Sequence, residues 1–232
     1  MSITTHDWIS RSTVDPALLE GRPDYRVILV AADRIDTAAL ASIAERLHVE
    51  AHEVARSIDP GEPDAHTARW QQAYRDFGIK PRVARPSVDA LVRRAASDKG
   101  LPRINVLVDL YNAISILHGV PIGGEDLDRY QGAARLILAD GDEPFHTTAD
   151  GEATIDYPDA GEPVWIDDDG ITCRRWNWRQ TTRTAIHPDT VRVGFIIDSL
   201  DAPDHLGAVC AAEQLAGLLR DPHMRTIDTT TR

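Results

Sequence analysis

The chain has 232 residues, 42% of them apolar, enough for a sizeable core, so extended disorder is excluded. The formal net charge of −12 argues against a general nucleic-acid coat, and two cysteines, Cys173 and Cys210, are too few for a disulfide scaffold or a four-thiolate zinc site. No run approaches the roughly 20 apolar residues of a membrane span, and no basic start followed by an apolar run opens the chain, so a cytoplasmic protein with no membrane contact is expected.

Periodicity predicts alternating strands and helices in the first half and mostly strands in the second, an α+β pattern. The run Tyr25–Ala32, bounded by Pro23 and Asp33, reads as a buried strand. Asp36 is placed to cap a helix to about Ile58 with Ala39, Leu40, Ile43, Leu47 and Val54 as its apolar stripe, and Asp59 to Pro63 reads as a turn. Trp70, Ala73, Tyr74 and Phe77 share a face of a second helix that Gly78 stops. Ser87 is the expected cap of a third helix carrying Val88, Leu91, Val92 and Ala95, which ends before Gly100. Asn105 is the expected cap of a fourth, with Leu107, Leu110, Ile114 and Leu117 inward and Gly119 at its end.

Beyond Pro121, strands are expected over Ala133–Ala139, Pro163–Asp167, Ile171–Trp178 and Val191–Leu200, with a hairpin turn at Asp169-Gly170. Trp176 and Trp178 alternate along the third of these, so both rings should face one side, as core packing or as a stacking platform. A last helix is expected over about His205–Leu219. The whole reads as one domain over residues 1–222, its core at about 70–200, with a polar, frayed tail at 223–232.

Charge is unevenly spread. Arg69 to Arg103 holds nine Lys/Arg against three Asp, and Arg174 to Arg192 holds five Arg against one Asp, whereas residues 140–169 hold eleven acids and no Lys or Arg. Each basic segment is either a solvated face or part of an anion-binding surface. The usual dinucleotide, nucleotide-triphosphate and hydrolase glycine motifs are absent. His48 and His52 have a spacing that lets two imidazoles share a metal, and Glu45 lies one turn before, but Val49 stands where the zincin pattern needs Glu. Surface histidines are expected there, with no metal and no cofactor.

Three strings are more specific. Leu101 to Asp128, LPRINVLVDLYNAISILHGVPIGGEDLD, resembles the tRNA-binding and editing B3/B4 domain in the β subunit of bacterial phenylalanyl-tRNA synthetase. The shared features are its Asn-x-x-Val-Asp-x-x-Asn helix, Gly-x-Pro turn and Asp-Leu-Asp segment. WQQAYRDFGIKPRVARPSVDALVRR upstream and CRRWNWRQ downstream resemble free-standing relatives of that domain, and the resemblance spans roughly Trp70 to Leu200. It implies a compact fold of layered mixed sheets and packed helices, and, in the synthetase, a pocket that hydrolyses tyrosine wrongly esterified to the phenylalanine tRNA. On this resemblance Arg103, Asn105, Asp109 and Asn112 belong to the motif helix and its lead-in as supporting residues.

The sequence departs from that pattern in the pocket. The family's histidine after the proline is replaced by Gly123, followed by Gly124 and Glu125; the family's glycine-rich strand is replaced by Trp176, Asn177, Trp178 and Arg179. The acidic residue that reads the tyrosine hydroxyl falls near Asp198, with a spacing from Thr190 two residues longer than the family's, so tyrosine specificity does not transfer. The expected site therefore has Asn177 and Asp198 orienting the ammonium or the water, and a Gly123-Gly124 turn admitting the ester. Arg174, Arg175 and Arg179 would hold phosphates or the terminal adenosine, with Trp176 and Trp178 beside them. Three functions fit: a trans-editing aminoacyl-tRNA deacylase; a module binding tRNA or an amino acid without turnover; or an enzyme acting on a small amino-acid ester or amide. The partner expected is tRNA or aminoacyl-tRNA.

Overall fold

The computed structural model describes residues 3–58, 65–80 and 82–231, so the turn expected at Asp59–Pro63 lies outside the described residues. In chain order the elements are α1 (Thr5–Arg11), β1 (Thr13–Val14), α2 (Pro16–Gly21), β2 (Tyr25–Ala32), α3 (Thr37–Ser57), α4 (Ala65–Asp76), α5 (Ser87–Ala96) and α6 (Val106–His118). They continue as β3 (Ile122–Asp126), β4 (Arg135–Leu138), β5 (Phe145–Ala149), β6 (Glu152–Asp156), β7 (Pro163–Asp167), β8 (Gly170–Arg174), β9 (Arg179–Gln180), β10 (Val193–Leu200), α7 (Asp201–Leu218) and β11 (His223–Ile227). The fold is α+β, with mixed sheets and packed helices.

An antiparallel sheet ordered β11-β2-β10-β3 divides two hydrophobic cores. Its strands β2 and β10 are apolar almost throughout because both faces are covered. Strand alternation sends Ile28, Val30, Ile197 and Phe195 to one face, where they meet Leu40, Leu47 and Ala51 of α3, Leu107, Leu110 and Ile114 of α6, and Ala208, Ala211 and Leu215 of α7. The opposite face carries Tyr25, Val27, Leu29 and Ile196 against Trp8 of α1, Trp70, Ala73 and Tyr74 of α4, Leu136 and Trp165 from the second sheet, and Trp176 from the turn between β8 and β9. That sheet runs β1-β4-β7-β8-β9, parallel only between β1 and β4, while β5 and β6 form a separate hairpin.

Several expectations shift by a face or a residue. The buried line of α3 is Leu40, Ala44, Leu47, Ala51 and Ala55; Ala39 and Val54 point outward, and His48, expected at the surface, is 6% exposed. The small alanines let α3 lie close against α6, so that line wins over the bulkier residues beside it. Pro86, not Ser87, caps α5: its ring fixes the extended entry (φ −51°), and Ser87 makes no capping bond. Asn105 caps α6 by accepting from the Val108 N–H (3.0 Å), and Gly119 ends it in the left-handed conformation at φ +67°.

The expected frayed tail is in part a strand: β11 pairs with β2 from His223↔Ala31 to Ile227↔Val27. Only Ile227 is buried there, so its polar composition hid an edge strand whose stability comes from backbone pairing. The short α1, β1 and α2, the β5–β6 hairpin and β3 had no periodic signal long enough to predict them. The β7–β8 hairpin turns on Asp168 and Asp169, one residue earlier than expected, with Gly170 at φ +133° starting β8.

Candidate functional site

The strand expected over Ile171–Trp178 stops at Arg174, and the chain turns before β9. Arg175 and Trp176 both take left-handed backbone conformations (φ +48° and +69°), a strained pair for non-glycine residues. Three bonds hold them: the Arg175 N–H donates to Glu162 (3.1 Å), the Trp176 N–H to the Pro163 carbonyl (2.6 Å), and the Trp178 N–H to the Arg174 carbonyl (3.1 Å). Both tryptophans nevertheless lie on one side, Trp176 within the second core and Trp178 at its edge, and both line one cavity. Trp176 is fully buried, edge-on to Tyr25, Trp70 and Phe77 at 4.9–5.5 Å, while the Trp178 ring is half-buried beneath the Arg175 guanidinium at 4.4 Å. Trp176→Ala should cost about 3–5 kcal/mol of stability, read as a lower midpoint in urea unfolding.

The turn aims Asn177 inward. Its Oδ1 accepts from Tyr74 (3.0 Å) and its Nδ2 donates to Asp198 Oδ2 (3.3 Å), while Asp198 Oδ1 accepts from Tyr25 (2.6 Å). Asp198 is 2% exposed, and burial raises its pKa to about 7 against the opposing pull of Tyr25 and Asn177.

β3 supplies the facing wall. Gly123 pairs with Ile196 and Glu125 with Gly194, so Gly123, Glu125, Ile196 and Asp198 share one sheet face. The glycines are strand residues rather than a turn, and they differ: a Cβ on Gly123 would meet nothing within 4 Å, whereas one on Gly124 would lie 2.8 Å from Tyr111 and 2.7 Å from Ile186. Gly123 leaves open space beside the strand; Gly124 lets Tyr111 pack, and its carbonyl accepts from Gln180. Glu125 is 1% exposed and raised to about 8 by burial.

Gly123, Glu125, Asn177 and Asp198 line a half-open cavity of about 350 Å³ with Tyr111, Trp165, Trp176 and Trp178 among its walls and Arg94 and Arg179 among its lining residues. Cys173 lines it too, but burial holds the thiol well above its ordinary pKa, which disfavours a thiolate nucleophile. Of the residues expected at the site, Gly123, Trp176, Asn177, Trp178, Arg179, Asp198 and Asn112 line this cavity. Arg174 does not: it is 4% exposed, forked onto Glu162 (2.8 and 2.7 Å) and bonded to Asp156 (2.6 Å). Arg175 also turns to Glu162 (3.4 Å). Asp109 accepts from the Ile104 N–H (2.8 Å), Asn105 bonds Ile186, and Arg103 forms an exposed ion pair with Glu45. Sequence reasoning left Glu125, Trp165 and Gln180 unassigned; reading Ile122–Asp126 as a strand would have put Glu125 on the face of Gly123.

The two basic segments have different fates. Arg174 and Arg175 pair with acids of the 140–169 block, and so does Arg183, on Asp167 (2.6 Å). That block is a structural counter-charge for the downstream segment. In the upstream segment, Arg75, Lys80, Arg82, Arg85 and Arg93 line a shallow depression of about 690 Å³ between α4 and α5, with Arg93 bonded to Asp89 of its own helix (2.6 Å). Arg93 is next in sequence to Arg94 of the half-open cavity.

Comparison with known proteins leads independently to the same family. A search of curated proteins finds none that matches this chain. Among solved structures, an N-terminal fragment of the phenylalanyl-tRNA synthetase β subunit from Pyrococcus horikoshii matches at 15% identity with a TM-score of 0.45; the alignment covers 94% of this chain and 53% of that one. The chain thus spans about half the length of that fragment. The family model for the B3/4 domain matches residues 69–204, more than half of the sequence and every residue that lines the cavity. The chain belongs to the B3/4 domain family.

Proposed function

We propose that the protein is an aminoacyl-tRNA deacylase of the trans-editing kind, hydrolysing a mischarged ester with water. The carrying observation is the cavity of about 350 Å³ in which Gly123, Asn177 and Asp198 meet, with a run of cations beside it. Its size suits an amino-acid side chain with its ester rather than a whole nucleotide. An ester held against a positioned water needs no covalent nucleophile, and the neighbouring ribose hydroxyl and hydrogen-bond donors assist as the oxyanion develops. A carboxyl whose pKa lies about 7 is matched to taking a proton from that water near neutral pH, and Asn177 fixes its orientation. Arg179 and Arg94 at the cavity suit the terminal phosphates, and the Trp178 face suits the terminal base.

The reading is tested by incubating the protein with a panel of charged tRNAs; release of amino acid from at least one pair well above the buffer rate supports it, and no release from any pair overturns it. Reversing two cations of the groove, Lys80→Glu with Arg82→Glu, should weaken tRNA binding and lower the slope of log K against log salt by about 0.7 for each phosphate that is no longer neutralised. An unchanged slope means that this groove does not carry the RNA.

A second reading, binding without turnover, is favoured by one observation: both Asp198 oxygens already accept hydrogen bonds, from Tyr25 and Asn177. Saturable, salt-sensitive tRNA binding with no hydrolysis supports that version.

A further inference from the structure

The deacylase reading leaves Glu125 without a task. The residue is 1% exposed and lines the cavity; Thr184 and Gln180 are the polar side chains beside its carboxyl, yet neither its Oε2 nor the Thr184 hydroxyl makes a well-formed hydrogen bond among the described residues. The guanidinium nearest in charge terms, Arg183, is already forked onto Asp167 at 2.8 and 2.6 Å. A buried carboxylate with no cation of its own is destabilising, and a glutamine or methionine would fill the space without that cost. Trp165 is likewise 1% exposed in the same cavity, and its indole N–H has no acceptor among the described residues. Two residues that line one cavity, one with an unpartnered acceptor and one with an unpartnered donor, suit a ligand that brings both a donor and an acceptor.

We propose that Glu125 is a specificity residue that takes the ammonium group of an aminoacyl ligand, with the Trp165 N–H available to a carbonyl of the same molecule. The proposal rests on the cavity being the aminoacyl site. It separates two ends of that site: Glu125 lies opposite Gly194 and Asp198 four residues further along β10, about 13 Å away at the strand's rise per residue. The ammonium end is thus distinct from the end where the water would be held, with the open space at Gly123 between them. The ammonium has two sources, the α-amino group or an amine on the amino-acid side chain.

Calorimetric titration of the full chain with three probes decides it. L-norleucinamide offers an α-ammonium, 6-aminohexanamide a terminal one, and hexanamide none. At least one amine probe is expected to bind tenfold or more tighter than hexanamide, and the preferred one names the source. Glu125→Gln, with folding checked by a thermal melt, should reduce that preference to within twofold. Hexanamide binding as well as both amines, no binding of any probe, or a preference that survives Glu125→Gln overturns the proposal. The readout is separable from the deacylase reading: amine selectivity without ester hydrolysis leaves Glu125's role standing and removes only the catalysis.

Discussion

Asp198→Asn will slow hydrolysis of a responsive aminoacyl-tRNA by about 10²- to 10⁴-fold, the range expected when a general base is removed. The variant retains the Tyr25 bond at one oxygen, so the sheet pairing of β10 with β2 and β3 is preserved and the loss falls on turnover rather than on folding. In the wild type the rate should climb with pH through about 7, because only the ionised carboxyl accepts the proton and burial sets its pKa there. A pH–rate profile with single-turnover kinetics checks both statements. Equal rates in wild type and variant, or a flat profile between pH 6 and 8, would show that Asp198 only supports Asn177 and Tyr25 structurally.

Glu125→Gln should stabilise the protein at alkaline pH and leave it nearly unchanged in acid. The folded-state pKa of about 8 lies above the ordinary glutamate value of 4.5, so between those values the folded chain holds a proton that the unfolded chain has released. The wild type's stability from this group is therefore complete below about 4.5 and is lost as pH rises through about 8. Glutamine removes the titration. The gain at pH 9 should be on the order of 2–4 kcal/mol, the sense and scale of such a shift, and it should raise Tm by about 5–10 °C in a domain of this size. Melts at pH 5 and pH 9 followed by circular dichroism measure it. A loss of stability at both values would mean that Glu125 serves the fold, which would also remove the argument that it is kept for a ligand.

The long, two-sided elements were legible in the sequence because burial writes itself as pattern: the apolar run at Tyr25–Ala32 and the Asn105-to-Gly119 helix appear where the periodicity and caps put them. What was not legible had no pattern to read. β11 is held by backbone pairing with polar side chains outward, and β3 follows Pro121 and carries Gly123 and Gly124, which look like turn residues. The site was legible by residue type and illegible by direction. Asn177 and Asp198 meet, and Trp176 and Trp178 line one cavity, but by way of a turn with two successive left-handed residues rather than the strand that alternation assumes. Charge sums misled in the same way: the downstream arginines looked like a phosphate track, but the acids that neutralise Arg174 and Arg183 come from as far as 18 residues away in sequence. Upstream, the loop between α4 and α5 carries Lys80, Arg82 and Arg85 and no acid of its own to neutralise them.

The central claim is that the cavity between β3, β10 and the 175–178 turn receives the aminoacyl end of a tRNA. Amide-resolved NMR titration with a 3′-aminoacylamido-adenosine, whose amide resists hydrolysis, tests it most directly. Shifts concentrated at residues 123–125, 176–180 and 196–198, and lost in Asn177→Ala, are the predicted result. Shifts confined to another surface, or none at saturating probe, would contradict it.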